Sequence, residues 1–139
     1  WSTLVGCCCT GIDLLMRHGI PVAWNLFQLE IVLANGSVEV MVVDVQYIMQ
    51  SLPSVAGCFH TEVITTSDRA KIPGAKHIEI HHHNALKAAR QIVQRAIDLY
   101  PKRGEINIPH NKMDVVAGFS QETINHMLAR LNSSHKRTP

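Results

Sequence analysis

Two apolar segments of this chain each run straight into a helix start, and that repeated strand-to-helix turn restricts the folds open to it. The first is Leu4-Val5-Gly6-Cys7-Cys8-Cys9-Thr10-Gly11, leading into Ile12-Asp13-Leu14-Leu15-Met16-Arg17-His18-Gly19. The second is Val38-Glu39-Val40-Met41-Val42-Val43-Asp44-Val45, leading into Gln46-Tyr47-Ile48-Met49. In an open parallel α/β sheet such turns lie at the carboxyl ends of the strands, the rim where ligands bind. Cys9 and Tyr47 are therefore expected on one rim. If their strands lie side by side, their Cα atoms should stand within roughly 10 Å, given the spacing of neighbouring strands.

The same alternation continues along the chain. Strands are expected at Thr3 to Gly6, Val40 to Val45, Thr61 to Thr66, His77 to Ile80 and Asp114 to Ala117. Helices are expected at Ile12 to His18, Asn25 to Leu33, Ile48 to Ala56, Asn84 to Tyr100 and Gln121 to Leu131. In the Asn84 to Tyr100 helix, Leu86, Ala89, Val93, Ala96 and Tyr100 recur every three or four residues, as a core-facing stripe does. Pro53 is expected to end or kink its helix. Gly19 and Gly36 stand where left-handed caps are wanted, and Ser120 suits an N-cap. Arg17 and His18 suit the negative end of a helix. Pro101 to Pro109 reads as the longest loop. Strands alternating with helices imply an α/β, Rossmann-like fold: a mainly parallel sheet with helices on both faces. At 139 residues, 1–139 reads as a single, partial domain.

Several function classes are excluded. The longest apolar runs are far too short to span a bilayer. A net charge of +2 with few aromatics gives nucleic-acid binding no support beyond the tail His135-Lys136-Arg137. No G-x-G-x-x-G follows a strand, and no Walker loop or H-E-x-x-H occurs. Gly118-Phe119-Ser120-Gln121-Glu122 lacks the second glycine of a nucleophile elbow. The chain opens on Trp1, with its first methionine at Met16 inside an expected helix, so it reads as a piece of a longer protein.

Four cysteines, three of them consecutive, do not form a disulfide framework and point to a reducing, cytoplasmic setting. Cys9 is the strongest chemical candidate. A thiol at a helix start is favoured as thiolate, the form that binds iron, nickel or zinc. Small buried cysteines packing at a strand end are the other reading, preferred for Cys7 and Cys8. Without a C-x-x-C pair the isolated chain is expected to bind no cluster, and any cluster needs ligands from elsewhere. His81-His82-His83, with His77 nearby, reads as a solvated junction, because consecutive side chains diverge. His60, after Cys58 and Phe59, can join a site, but a core or capping histidine is the commoner reading.

The run Cys8-Cys9-Thr10-Gly11, followed by Leu14-Leu15-Met16-Arg17-His18-Gly19-Ile20-Pro21, resembles the nickel–iron–sulfur carbon monoxide dehydrogenases. So do Met41-Val42-Val43-Asp44-Val45-Gln46, Cys58-Phe59-His60-Thr61 and Ile64-Thr65-Thr66. Looser matches are Lys71-Ile72-Pro73-Gly74-Ala75 and Val116-Ala117-Gly118-Phe119-Ser120. The resemblance implies the middle, Rossmann-like domain of a larger homodimeric oxidoreductase that converts CO and water to carbon dioxide, two protons and two electrons. It implies a Ni-Fe-S cluster in the full-length protein, a ferredoxin-type electron acceptor, and contact with the remainder of its own polypeptide. Of the two cluster ligands the family has in this stretch, one maps to Cys9. The other maps to Tyr47, where a phenol replaces the thiol. Ile12-Asp13 and Gln50 are further departures from the family pattern. Two functions remain open: an enzyme with an altered cluster, or a paralogue that keeps the scaffold without the chemistry.

Overall fold

The computed structural model describes residues 3–45, 49–108, 110 and 120–135, the last five as backbone alone. Strand β1 (Gly6–Cys7) leads into helix α1 (Cys8–Asp13), a 3-10 turn (Leu15–His18) and β2 (Val22–Trp24). Another 3-10 turn (Leu26–Gln28) enters α2 (Leu29–Ala34), followed by β3 (Val40–Val43), α3 (Leu52–Gly57) and β4 (Glu62–Thr65). After β5 (Lys76–His77) come the long helix α4 (Ala85–Leu99) and, last, α5 (Gln121–His135).

Every strand pairing is parallel. β1 pairs with β2, while β3, β4 and β5 form a three-stranded sheet in that order. Side chains alternate across β3 and β4 as strand geometry requires. Met41, Val43 and Val63 point to one face, where they pack with Leu29 and Leu33 of α2 and Leu52 and Ala56 of α3. Glu62 points to the other, where Arg95 of α4 holds its carboxylate through two nitrogens at 2.6–2.9 Å. Helices thus cover both faces, as the alternation of elements implies. Cys7 and Trp24 pack against the same core, so the β1–β2 pair and the larger sheet share one interior.

Several boundaries differ from the sequence expectation. The first strand is Gly6–Cys7 rather than Thr3 to Gly6, and its helix begins at Cys8 instead of Ile12. β2 was not anticipated: Val22-Ala23-Trp24 is too short to show an alternating pattern. Pro53 neither ends nor kinks α3 but sits in its first turn, where its missing N–H has no intrahelical partner to lose. The expected His77 to Ile80 strand shrinks to Lys76–His77. The expected Asp114 to Ala117 strand and the Val116 to Phe119 match lie outside the described residues.

The expected core stripe of α4 is displaced. Leu86 is 78% exposed, and Val93 and Tyr100 are also exposed. Ala88 and Leu99 are buried instead, with Ala85, Ile92, Arg95 and Ala96 half-buried. Two apolar stripes coexist on α4, and the one facing the sheet is rich in alanine, which admits a close approach of helix to sheet. The caps agree with the sequence. Gly19 and Gly36 have φ of 75° and 71°, and the Ser120 hydroxyl accepts from the Thr123 N–H at 3.2 Å.

Candidate functional site

The carboxyl ends of β1 and β3 carry the rim. The chain turns out of β1 directly into α1, and two glycines make that turn possible. A Cβ placed on Gly6 would sit 2.7 Å from the Gly11 Cα, and one on Gly11 would sit 2.8 Å from the Gly6 carbonyl carbon. Helix and strand backbones therefore touch, and any larger residue at either position would push them apart. This contact gives the glycine of Cys9-Thr10-Gly11 its physical reason. Cys9, the second residue of α1, stands exposed above it, while Cys7 and Cys8 are half-buried.

Thr10 joins the two turns. Its hydroxyl donates to the Asp44 carboxylate at 2.7 Å, across 34 residues of sequence. No ladder connects β1 to β3 among the described residues, so this bond and the shared core hold the two strand ends together. The pairing is not legible in the sequence, although Thr10 directly follows Cys9 and Asp44 stands three positions before Tyr47. Tyr47 lies outside the described residues, and so does its distance to Cys9.

Farther along the same rim, Thr65 ends β4 and its hydroxyl meets His77 Nδ1 at 2.9 Å. Glu79 receives His81 Nε2 at 2.8 Å, and the rings of His81 and His83 stack with centroids 5.4 Å apart. Asn84 accepts from the His81 backbone N–H and donates to the Glu79 carbonyl, closing the junction before α4. The histidine run is an exposed, hydrogen-bonded junction, as expected.

Cys58 and His60 are elsewhere. They follow α3 and precede the amino end of β4, and in a parallel sheet that is the edge opposite Cys9. Cys58 is exposed, its thiol 3.6 Å from the Ser54 carbonyl. His60 Nδ1 accepts from the Gly104 N–H at 3.3 Å, and its Nε2 is buried without a partner. The matches around Cys58-Phe59-His60-Thr61 therefore belong to the connection into β4, away from the rim.

The electrostatics separate the cysteines. Burial, reinforced by the adjacent Cys8 sulfur, pushes the Cys7 thiol up to about 12, so it stays protonated at neutral pH. Among the described residues no three His, Cys, Asp or Glu side chains converge as a metal site would need. The described residues do not fit a whole metal cluster. They fit the part of a single soft ligand, the exposed Cys9, on a rim facing away from the core.

The model of the Prismane/CO dehydrogenase family matches residues 2–129. Carbon monoxide dehydrogenase 1 of Carboxydothermus hydrogenoformans is 46% identical over 138 residues, 98% of this chain and 22% of the relative. The carbon monoxide dehydrogenase of Rhodospirillum rubrum is 41% identical, with 98% and 22% covered. Among solved structures, carbon monoxide dehydrogenase IV from Carboxydothermus hydrogenoformans superposes with a TM-score of 0.80 at 47% identity, over 95% of this chain and 21% of that one. The as-isolated, Ni-free carbon monoxide dehydrogenase from Thermococcus sp. AM4 gives 0.80 at 45% identity, over 90% and 20%. The chain spans about a fifth of the length of the relatives it matches.

Proposed function

The chain belongs to the Prismane/CO dehydrogenase family, and from that premise we propose that it is the Rossmann-like part of a carbon monoxide dehydrogenase-like oxidoreductase. In this reading the whole polypeptide converts CO and water to carbon dioxide, two protons and two electrons at a Ni-Fe-S cluster, and this stretch alone is inactive. The reading rests above all on the exposed Cys9 at the carboxyl rim, held beside the end of β3 by the Thr10–Asp44 bond. Cys9 supplies one thiolate to the cluster, and the other ligands, the acid–base groups and the electron-transfer centres lie beyond this stretch. The remainder of the polypeptide is the first partner, followed by a second copy of the protein and a ferredoxin-type electron acceptor, all in the cytoplasm. The uncovered apolar stripe of α4 supports contact with further protein.

Tyr47 favours a second reading, a paralogue that keeps the scaffold and has lost the chemistry. A phenolate is a harder donor than the thiolate it replaces, and iron–sulfur clusters are held by thiolates. The deciding experiment measures nickel, iron and CO-dependent viologen reduction in the full-length protein and in its Tyr47→Cys variant. CO oxidation by the native full-length protein supports the enzyme. Gain only in the variant identifies a scaffold intact but for one ligand, and activity in neither favours the paralogue.

A further inference from the structure

Cys7 and Cys8 have no part in the function proposed above, yet their sulfurs lie 3.4 Å apart. Adjacent side chains on an extended strand point to opposite faces. Cys7 is extended, at φ −133° and ψ 143°. Cys8 breaks the pattern with φ 49°, the positive-φ residue other than glycine among the described residues. That left-handed step, disfavoured for an L side chain, returns the Cys8 thiol to the side of Cys7.

The separation selects what the pair can hold. A disulfide needs sulfurs about 2.05 Å apart and usually spans Cα atoms roughly 4.4–6.8 Å apart. Neighbouring Cα atoms across a trans peptide stand only about 3.8 Å apart, so a direct bond is strained. A bridging atom is better matched. With bonds of about 2.3 Å to each sulfur, a 3.4 Å gap subtends an angle of about 95° at the bridge. A tetrahedral ion with the same bonds wants sulfurs about 3.8 Å apart, and two further ligands besides. Near-right angles belong to a pyramidal trivalent centre that keeps a lone pair and bonds through p orbitals.

We propose that Cys7 and Cys8 form a dithiol site for trivalent arsenic, as arsenite or a monosubstituted organoarsenical. The reaction with an organoarsonous acid is a condensation without redox change. Two S–H and two As–O bonds break, two As–S bonds form, and two waters leave. The product is uncharged, which suits the half-buried position of Cys7. Cys9, exposed on the next residue of α1, stays outside the bridge.

Phenylarsine oxide, added to the reduced full-length protein under argon, is the probe. The expected result is one phenylarsenic on the peptide containing residues 7 and 8, with loss of two thiol protons, by mass spectrometry. It should resist a monothiol and be released by 1,2-ethanedithiol. Losing either sulfur converts a chelate to a single contact, so Cys7→Ser, Cys7→Ala and Cys8→Ser should each weaken retention about a hundredfold or more. Cys9→Ser should retain the label. Two cysteine 7 variants with native circular dichroism separate loss of the site from loss of the fold. Three results would overturn the proposal: no label at residues 7 and 8, a label surviving Cys7→Ser but lost in Cys9→Ser, or equal retention by the urea-unfolded chain.

Discussion

Thr10→Val removes the hydroxyl that joins the turn after β1 to the turn after β3 while keeping the side chain's shape. The bond is short, 2.7 Å, and its acceptor is a carboxylate, so it belongs to the charge-assisted class. Such bonds contribute about 1.5–3 kcal/mol when well shielded. Both residues are only half-buried, and solvent access reduces the expected loss to about 1–2 kcal/mol. A loss of that size corresponds to about a 5- to 30-fold change in a local opening equilibrium. Amide hydrogen exchange in the full-length protein reads this directly. Backbone amides of Cys8 to Asp13 should exchange faster in Thr10→Val by that factor, while those of α4 keep their protection. Thr10→Ser, which preserves the donor, should restore most of the protection. If the Cys8 to Asp13 amides change less than twofold in Thr10→Val, the bond does not hold the two turns together and the shared rim rests on core packing alone.

Gly36 has φ 71°, and a Cβ there would stand 2.5 Å from the Glu105 carbonyl oxygen. Gly36→Ala should therefore destabilise by about 2–3 kcal/mol in urea unfolding, from the left-handed backbone together with the clash. Ile64 is fully buried in β4, and Ile64→Ala should lower stability by about 2–5 kcal/mol as a cavity opens beneath α4. The Arg95 guanidinium, hydrogen-bonded to Glu62, holds that carboxyl below its ordinary 4.5, with Lys76 3.7 Å away adding to the effect. A depressed folded-state value means the contribution is complete above about pH 4.5 and is lost as pH falls through the lower folded value. The stability gap between the native protein and Arg95→Gln should hold at neutral pH and narrow on acidification, as followed by unfolding midpoints. A gap independent of pH would contradict the assignment.

Parallel strands alternating with helices were legible because β3 and β4 are rich in β-branched residues and because Gly19, Gly36 and Ser120 mark caps through local chemistry alone. What depends on neighbours in space was not. Cys8 starts a helix because Gly6 and Gly11 let strand and helix backbones touch. No propensity records such a contact between residues five apart, so the helix start was expected four residues too late. Pro53 departs from expectation for a related reason. Its effect depends on whether it falls in the first turn or the interior, and that position is fixed by where Ser51 and Leu52 begin the helix.

The candidate site divides along the same line. Cys9 was legible from its type and from its place after an apolar strand. Its tie to Asp44 was not, because Thr10 and Asp44 meet only once β1 and β3 are packed on one core. Helix α4 takes the argument a step further. Periodicity identified an apolar stripe correctly in period but one step off in phase: Leu86, Ala89, Val93 and Tyr100 stand exposed, while Ala85, Ala88, Ile92 and Leu99 lie toward the sheet. On the buried side Ala85 and Ala88 admit the sheet closely, Leu99 is buried at the helix end, and Arg95 reaches past them to Glu62. Leu86, Val93 and Tyr100 are left on the outside of a chain spanning about a fifth of its relatives' length. An amphipathic pattern reports that a face is apolar. Which of two such faces meets its own sheet is decided by the shape of the contact, and the other stripe stays available to whatever packs outside it.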